Sequence, residues 1–160
     1  MYNTALRILK DTFEAEDIMQ ESFLTAFSKL GTFKSQSRFD DNHIPFGSWL
    51  KRIVINKSLT QLRKNKNLIT YDDNIKIVQL IDDDYDDGKI NSLKAEVILK
   101  AIRNLKDNYS IVLTLSLIEG YDNEEIASIL KTNNQHVRTT ISRAKVKLKK
   151  ELQFNNEQLK

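Results

Sequence analysis

The sequence predicts an all-α protein made of two small helical domains joined by an acidic flexible linker. Its 160 residues include one proline and four glycines, so few residues interrupt a helix. Apolar residues recur every three or four positions over much of the chain, as they do in amphipathic helices. Residues 1–64 and 93–160 are basic, whereas residues 65–92 are acidic. This charge pattern favours two domains and a linker over one continuous domain.

The composition excludes several classes of protein. No apolar run reaches the roughly 18 residues that a membrane span requires, and the N-terminus turns acidic where a signal peptide would stay apolar. The chain has no cysteine, which excludes disulfides and thiolate metal sites. Its two histidines, His43 and His136, lack a spaced carboxylate partner, and there is no glycine-rich phosphate loop. We therefore expect a cytoplasmic protein that is not an enzyme and binds no metal or cofactor.

The first domain, residues 1–64, is expected to begin with two helical segments. Thr4 to Leu9 is a short periodic piece, and a longer helix follows it and ends at Gly31, a favourable left-handed stop. The inward face of the longer helix carries Ile18, Met19, Phe23, Ala26, Phe27 and Leu30. The opposite face carries Glu16, Asp17, Gln20 and Glu21. From the residues alone, this acidic cluster is best explained as a solvated first turn, where the helix dipole favours acids.

Residues 34–45 are polar and lack periodicity, so they are predicted to form a loop before a helix over residues 46–64. That helix turns Trp49, Leu50, Ile53, Val54, Leu59 and Leu62 inward. Its outer face carries Lys51, Arg52, Asn56, Lys57, Arg63 and Lys64, and the loop adds Lys34, Arg38 and Phe39. Cations hold phosphates while rings stack on unpaired bases, so this surface suits single-stranded nucleic acid. The alternative is a solvated face on a helix whose Trp49 is an ordinary core residue.

The second domain, residues 93–160, is predicted to contain four helices and a helix-turn-helix motif. Residues 93–105 and 109–118 form the first two, the second of which ends at Gly120. The third runs from Asn123 to Leu130, with acids in its first turn. The break is at residues 131–133, and the side chain of Asn133 or Asn134 is expected to cap the fourth helix. A short helix, a tight turn and a basic second helix together form a helix-turn-helix.

The fourth helix combines an apolar stripe with a basic surface. The stripe consists of Val137, Ile141, Ala144, Leu148 and Leu152. The candidate DNA contacts are Asn134, Gln135, Arg138, Thr139, Ser142, Arg143, Lys145 and Lys147. Arginine and glutamine can pair with the edges of guanine and adenine, and the later lysines suit phosphates. The alternative is a solvated basic face on a packed helix.

Three stretches, taken in order, resemble the extracytoplasmic-function (ECF) group of bacterial RNA polymerase sigma factors. Residues 15–23, AEDIMQESF, are similar to the family's A-E-D-x-x-Q-E-x-F. Residues 46–64 are similar to F-x-x-W-L, a later N, and L-R-K. Residues 119–148 are similar to E-G-x-x-x-x-E-I-A followed by V-x-x-x-x-x-R-A-x-x-x-L. From the first to the last, the three stretches span nearly the whole chain.

The resemblance implies a sigma factor that directs RNA polymerase core enzyme to promoters and assists promoter opening. Residues implied to bind the β′ clamp helices are Glu16, Asp17, Gln20 and Glu21. Residues implied to lie at the minus-ten element are Lys34, Arg38, Arg52, Asn56, Arg63 and Lys64. The fourth helix of the second domain would read the minus-thirty-five element as duplex. The polymerase β flap and an anti-sigma factor are further partners that the resemblance suggests.

The chain departs from the family pattern at three positions. Family members usually have a further helix ahead of the position of Thr4, so either the true start lies upstream or the first domain lacks that helix. Lys131 stands where glycine is common, and Thr60 stands where aspartate is common. The alternative function is a helix-turn-helix regulator that binds duplex DNA without polymerase. A helical interaction module with incidental basic charge is a third interpretation.

Overall fold

The computed structural model describes residues 1–36, 45–69 and 91–157. All regular structure in these ranges is helical, which confirms the predicted fold class. The chain divides into two compact units, Met1–Leu80 and Ile81–Lys160. The predicted acidic linker falls mainly on residues 70–90, which lie outside the described residues. Among the described helices, none is long and apolar enough to cross a membrane.

The described part of the first unit contains four helices. They are α1 (Tyr2–Leu9), α2 (Thr12–Ser28), α3 (Leu30–Gln36) and α4 (Phe46–Ile69). Helices α1, α2 and α4 pack against one another around Ala5, Leu9, Ala15, Ile18 and Val54. Helix α2 begins where it does because the Asp11 carboxylate accepts a hydrogen bond from the Glu14 amide at 2.9 Å, which satisfies a free donor of the first turn.

Several helix ends differ from the prediction. Helix α2 ends at Ser28, and Gly31 lies inside α3 without a positive φ, so its expected role as a stop was wrong. Helix α3 includes residues 34–36, which were predicted as loop. The prediction missed them because a helix of seven residues is too short to show periodicity. Helix α4 continues to Ile69, so residues 65–69 are helical rather than part of the linker.

The predicted inward face of α2 was wrong at its two phenylalanines. Phe23 and Phe27 are exposed, whereas Ala15, Ile18, Ser22 and Ala26 are buried. Three of the four buried residues are small, which lets α2 approach its neighbours closely. Helix α2 therefore packs against its neighbours through this narrow stripe, and the rings of Phe23 and Phe27 remain exposed to solvent.

The described part of the second unit contains four helices, as predicted. They are α5 (Asn91–Asn104), α6 (Asp107–Leu113) continued by a π-helical turn (Thr114–Ile118), α7 (Asn123–Leu130) and α8 (Asn134–Glu157). The predicted stripe of α8 is buried at Val137, Ile141, Ala144 and Leu148, and α8 packs against α5, α6 and α7. Helix α5 is buried at Ala101 and Ile102, and Leu105 directly after the helix is buried too. Val97 and Ile98, nearer the N-terminus of α5, are exposed, so α5 joins the core through its C-terminal half.

The helix-turn-helix turn is fixed by local hydrogen bonds. Asp122 Oδ1 accepts from the Glu124 and Glu125 amides, both at 2.8 Å. Glu125 Oε2 in turn accepts from the Asp122 amide at 3.0 Å, which forms a capping box. Lys131 ends α7 in the left-handed conformation, with φ 56°. Asn133 Oδ1 accepts from the His136 amide at 2.7 Å, so Asn133 is the asparagine that caps α8. The predicted break at residues 131–133 is confirmed.

Candidate nucleic-acid and protein interfaces

The solvent face of α2 carries the four polar residues that the sequence singled out, here called the acidic ridge: Glu16, Asp17, Gln20 and Glu21. All four are exposed. Glu21 Oε2 forms an ion pair with Lys57 Nζ of α4 at 2.9 Å, so this end of the ridge is turned toward α4. An exposed pair of this kind contributes about 0–1 kcal/mol. A charged partner could therefore displace Lys57 from Glu21 with little loss of free energy.

Large apolar residues lie within the acidic ridge and were not predicted there. Phe13, Leu24 and Phe27 are 78%, 70% and 71% exposed. With about 100° of rotation per residue, these three and Gln20 fall within about 60° of one another around α2. Their positions lie off the buried stripe of the helix, whereas sequence periodicity alone had placed Phe27 on the inward face. Exposed apolar groups gathered on one face mark an interaction surface rather than a solvated turn.

The outer face of α4 brings together three of its four predicted nucleic-acid contacts. Arg52, Asn56 and Arg63 are exposed and lie within about 40° of one another around the helix. Lys64 is also exposed, but it lies about 100° from Arg63. Lys34 belongs to α3, where only its helical placement is described, and Arg38 lies outside the described residues together with Phe39. The structure thus places three of the predicted contact residues in one exposed stripe of α4.

Three aromatic side chains, here called the ring cluster, join the end of α3 to the start of α4. Phe33 and Trp49 have ring centroids 4.8 Å apart, and Phe46 lies 5.6 Å from each of them. Phe33 and Trp49 are half-buried, whereas Phe46 is 44% exposed. Trp49 therefore packs mainly within this cluster, not deep in the core. In the sequence, Phe33 precedes residues 37–44, and Phe46 and Trp49 follow them. The cluster presents an aromatic surface at the N-terminal end of the α4 stripe.

The predicted contacts on α8 are ordered around the helix. Gln135, Thr139 and Ser142 point away from the buried stripe and form a neutral spine. Arg138 and Lys145 lie on one side of the spine, and Arg143 and Lys147 lie on the other. All seven of these residues are exposed. A neutral spine between two basic rows matches a helix in a DNA groove, where base edges lie between two phosphate backbones.

Asn134 is the one predicted α8 contact that is only half-buried rather than exposed. Its side-chain oxygen is buried and has no hydrogen-bond partner in the described part of the chain. Asn134 directly follows the cap residue Asn133, and the burial of its oxygen shows that its side chain is turned partly into the unit. The other candidates on α8 are therefore better placed to contact DNA than Asn134.

No group of three or more histidine, aspartate or glutamate side chains within residues 1–36, 45–69 and 91–157 is arranged to hold a metal ion. The charged residues of this part of the chain lie mainly on helix surfaces. Their arrangement suits binding to large partners, because broad charged faces match phosphate backbones and protein surfaces.

Two family models match the chain in separate regions. The model for sigma-70 region 2 matches residues 1–68, and the model for sigma-70 region 4 matches residues 95–148. The first region contains α1 to α4 up to the end of its stripe, and the second contains nearly all of the helix-turn-helix unit. The two models follow the order of their region numbers along the chain.

Curated relatives agree with these matches. The chain is 29% identical over 161 residues to the ECF RNA polymerase sigma factor SigW of Bacillus subtilis, with 95% of this chain and 82% of the relative covered. It is 28% identical over 151 residues to the RNA polymerase sigma factor YlaC of the same organism, with 90% and 80% covered. It is 27% identical over 146 residues to the ECF RNA polymerase sigma-E factor of Haemophilus influenzae, with 86% and 74% covered.

A solved structure shares the fold. It is the sigma factor RpoE in complex with the anti-sigma factor NepR from Bartonella quintana, with a TM-score of 0.65 and 22% sequence identity. The match covers 95% of this chain and 89% of that chain. Both ends of the sequence thus match one family, and its members match along nearly the whole length. The chain belongs to the sigma-70 family of RNA polymerase sigma factors, in the ECF group.

Proposed function

We propose that this sigma factor docks on RNA polymerase core through α2 and holds promoter DNA through α4 and α8. The observation that carries the proposal is the presence of three differently built exposed faces on helices that are otherwise packed. One face is acidic and apolar, one is basic beside aromatic rings, and one is basic around a neutral spine. Each face suits a different partner in transcription initiation.

The α2 face suits a protein partner with basic and apolar groups, which we assign to the β′ clamp helices. Asp17 and Gln20 lie among Phe13, Leu24 and Phe27, whose exposure leaves apolar area for a partner to cover. Buried apolar anchors within a polar rim are typical of the residues that dominate protein interfaces. A DNA backbone would be repelled by these carboxylates, so this face does not bind nucleic acid.

The α4 face suits the unpaired strand at the upstream edge of the minus-ten element. Arg52 and Arg63 supply positive charge for phosphates, and Asn56 lies between them with an amide that can pair with a base edge. The exposed ring of Phe46 adds a stacking surface at the same end of the unit. Flipping a base out of the duplex costs a few kcal/mol, and stacking on a ring offsets about 1–3 kcal/mol per base.

The α8 face suits the minus-thirty-five element as intact duplex. The N-terminal part of the second helix of a helix-turn-helix lies in the major groove. Gln135, Arg138 and Thr139 occupy that part of α8, and the lysines that follow add phosphate contacts. The two DNA contacts belong to one chain, so binding of one element raises the effective concentration of the other helix at its own element.

The family relationship also bears on the wider role. Sigma factors act without catalysis, so we propose a regulatory role and a cytoplasmic location beside the polymerase. The structural neighbour from Bartonella quintana was solved with an anti-sigma factor. We therefore propose a regulator of that class as a partner of this chain, in addition to the polymerase β flap. The alternative of a helix-turn-helix regulator that acts without polymerase leaves the exposed acidic and apolar face of α2 unexplained.

Binding to purified core polymerase tests the proposal. We expect a stable complex whose Kd rises at least about tenfold, or about 1.4 kcal/mol, when Asp17 and Gln20 are both changed to alanine, because each is expected to lie in the interface. Glu96→Ala is a matched control, since Glu96 is an exposed acid on α5 of the other unit. Absence of a complex, or equal binding by the Asp17→Ala/Gln20→Ala variant, would refute docking through α2.

A further inference from the structure

The carboxylate of Glu14, in the first turn of α2, is held by two amide side chains from the end of α4. Asn65 Nδ2 donates to Glu14 Oε1 at 2.8 Å and to Oε2 at 2.9 Å. Gln61 Nε2 donates to Glu14 Oε1 at 3.3 Å and to Asn65 Oδ1 at 3.2 Å. All three side chains are half-buried. We call this arrangement the amide clamp.

The amide clamp lies where the apolar packing of α4 ends. Leu59 is the last fully buried residue of α4 whose side chain is described, and Leu62 is half-buried. Beyond Leu62, the side chains up to Lys66 are exposed or half-buried and polar, so the core no longer holds the helix against α2. Hydrogen bonds to an ionised acceptor are shorter and stronger than bonds between neutral groups, which makes Glu14 a suitable anchor for this end.

The clamp also fixes which way Arg63 points. Gln61 and Asn65 flank Arg63 in the sequence, and they lie about 160° from it around the helix. When Gln61 and Asn65 are bound to α2, Arg63 must therefore face outward, in line with Arg52 and Asn56. Release of the clamp would let the last turns of α4 fray or rotate, because terminal helical turns have few other constraints.

We propose that Glu14 is a positioning residue for promoter binding. It touches no DNA, but through the amide clamp it holds Arg63 in register with the rest of the α4 stripe, so that Arg63 meets a phosphate of the unpaired promoter strand. This inference rests on the proposed contact between α4 and that strand. It adds a residue on the side of α2 that is turned toward α4, about 20° around the helix from Glu21.

A double-mutant cycle between Glu14 and Arg63 tests the proposal. The full chain in complex with core polymerase is titrated with fluorescent fork-junction DNA carrying an unpaired minus-ten strand, at several salt concentrations. We expect Arg63→Ala to weaken binding by about three- to tenfold and to lower the slope of log K against log salt by about 0.7, one single-strand phosphate contact. Glu14→Ala should show the same changes, and the double variant should be no weaker than Arg63→Ala alone.

Two further variants separate positioning from stability. Glu14→Gln keeps one acceptor oxygen and should restore part of the affinity. Ser58→Ala removes a buried hydrogen bond of α4, from Ser58 Oγ to the Val54 carbonyl at 2.9 Å, and it should leave the salt slope unchanged. Additive losses from Glu14→Ala and Arg63→Ala, or an unchanged salt slope in Glu14→Ala, would overturn the role of the clamp. An unaltered affinity in Arg63→Ala would instead overturn the α4 contact, and the clamp with it.

Discussion

Helices α4 and α8 are built to the same plan but differ in what surrounds their basic faces. Each has 24 residues, one buried apolar stripe and one exposed basic face. The face of α4 begins beside the ring cluster of Phe33, Phe46 and Trp49, whereas α8 has no phenylalanine, tyrosine or tryptophan through residue 153. Rings bind bases that have left the stack, and a neutral spine between basic rows fits an intact groove. Two helices with similar length and charge thus suit two states of DNA.

The largest loss of binding is expected for a change in the exposed face of α2, which neither α4 nor α8 shares. Phe27→Asp should weaken binding to core polymerase by at least about 2 kcal/mol, since an exposed apolar anchor is replaced by a desolvated charge. Binding of duplex minus-thirty-five DNA by the free chain should not change. Titration of labelled core measures the first quantity, and a thermal melt should show an unchanged fold because Phe27 is exposed. Undiminished core binding would remove the apolar residues from the interface.

The next effect separates the two DNA-binding helices. Arg138→Ala should weaken binding to the minus-thirty-five duplex by about 1–3 kcal/mol and relax base preference at one position, if Arg138 pairs with a base edge. Arg52→Ala on α4 is the matched change, and it should leave this duplex affinity unaltered. Competition with single-base variants of the duplex measures the affinity and the base preference of each variant. Weaker binding with unchanged base preference would remove Arg138 from the residues that read bases.

A smaller effect concerns the left-handed residues that end a helix in each unit. Lys10 after α1 and Lys131 after α7 have φ of 63° and 56°, where a residue with a Cβ is strained by about 1–2 kcal/mol. Lys131→Gly and Lys10→Gly should each raise the free energy of unfolding by about 0.5–1 kcal/mol, after the greater backbone entropy of glycine in the unfolded chain is subtracted. Chemical denaturation measures both changes. A loss of stability in either variant would show that the lysine side chain contributes more than its strain removes.

The smallest effect is expected at Ser22, whose hydroxyl is fully buried and has no hydrogen-bond partner among the described residues. Ser22→Ala should be neutral or slightly stabilising, because it removes an unsatisfied polar group from the contact of α2 with its neighbours. Ser58→Ala provides the contrast, because Ser58 Oγ is equally buried but bonded. It should destabilise by about 0.5–1.5 kcal/mol. Equal losses in both variants would indicate that Ser22 is hydrogen-bonded in solution.

Much of the second unit could be predicted from the sequence because its signals are local. The bounds of α7, the break at residues 131–133 and the buried stripe of α8 were all predicted. Each depends on caps and spacing within a few residues. Lys131 was noted only as standing where glycine is common in the family, and its positive φ came from the structure. The family models confirmed the assignment to the sigma-70 family, and the relatives confirmed the ECF group.

The first unit was harder to predict because its features depend on tertiary packing. Phe27 was placed inside by periodicity, but the small residues Ala15, Ser22 and Ala26 bury a narrower stripe, and the ring remains exposed. The extension of α4 beyond Lys64 depends partly on Asn65, whose partner Glu14 lies 51 residues earlier. No local pattern can reveal such a pair. The contacts assigned to promoter DNA and polymerase remain predictions on both units.

Transcription by purified core polymerase from matched duplex and pre-melted promoters tests the division between α4 and α8 most directly. The chain should start transcripts at promoters that share two separate sequence elements. Opening the minus-ten region in advance removes the few kcal/mol needed to unstack a base, so it should restore much of the activity lost in Asn56→Ala but little of that lost in Arg138→Ala. Equal rescue of both variants, or no transcripts from any promoter with the unaltered chain, would contradict the roles assigned to the two helices.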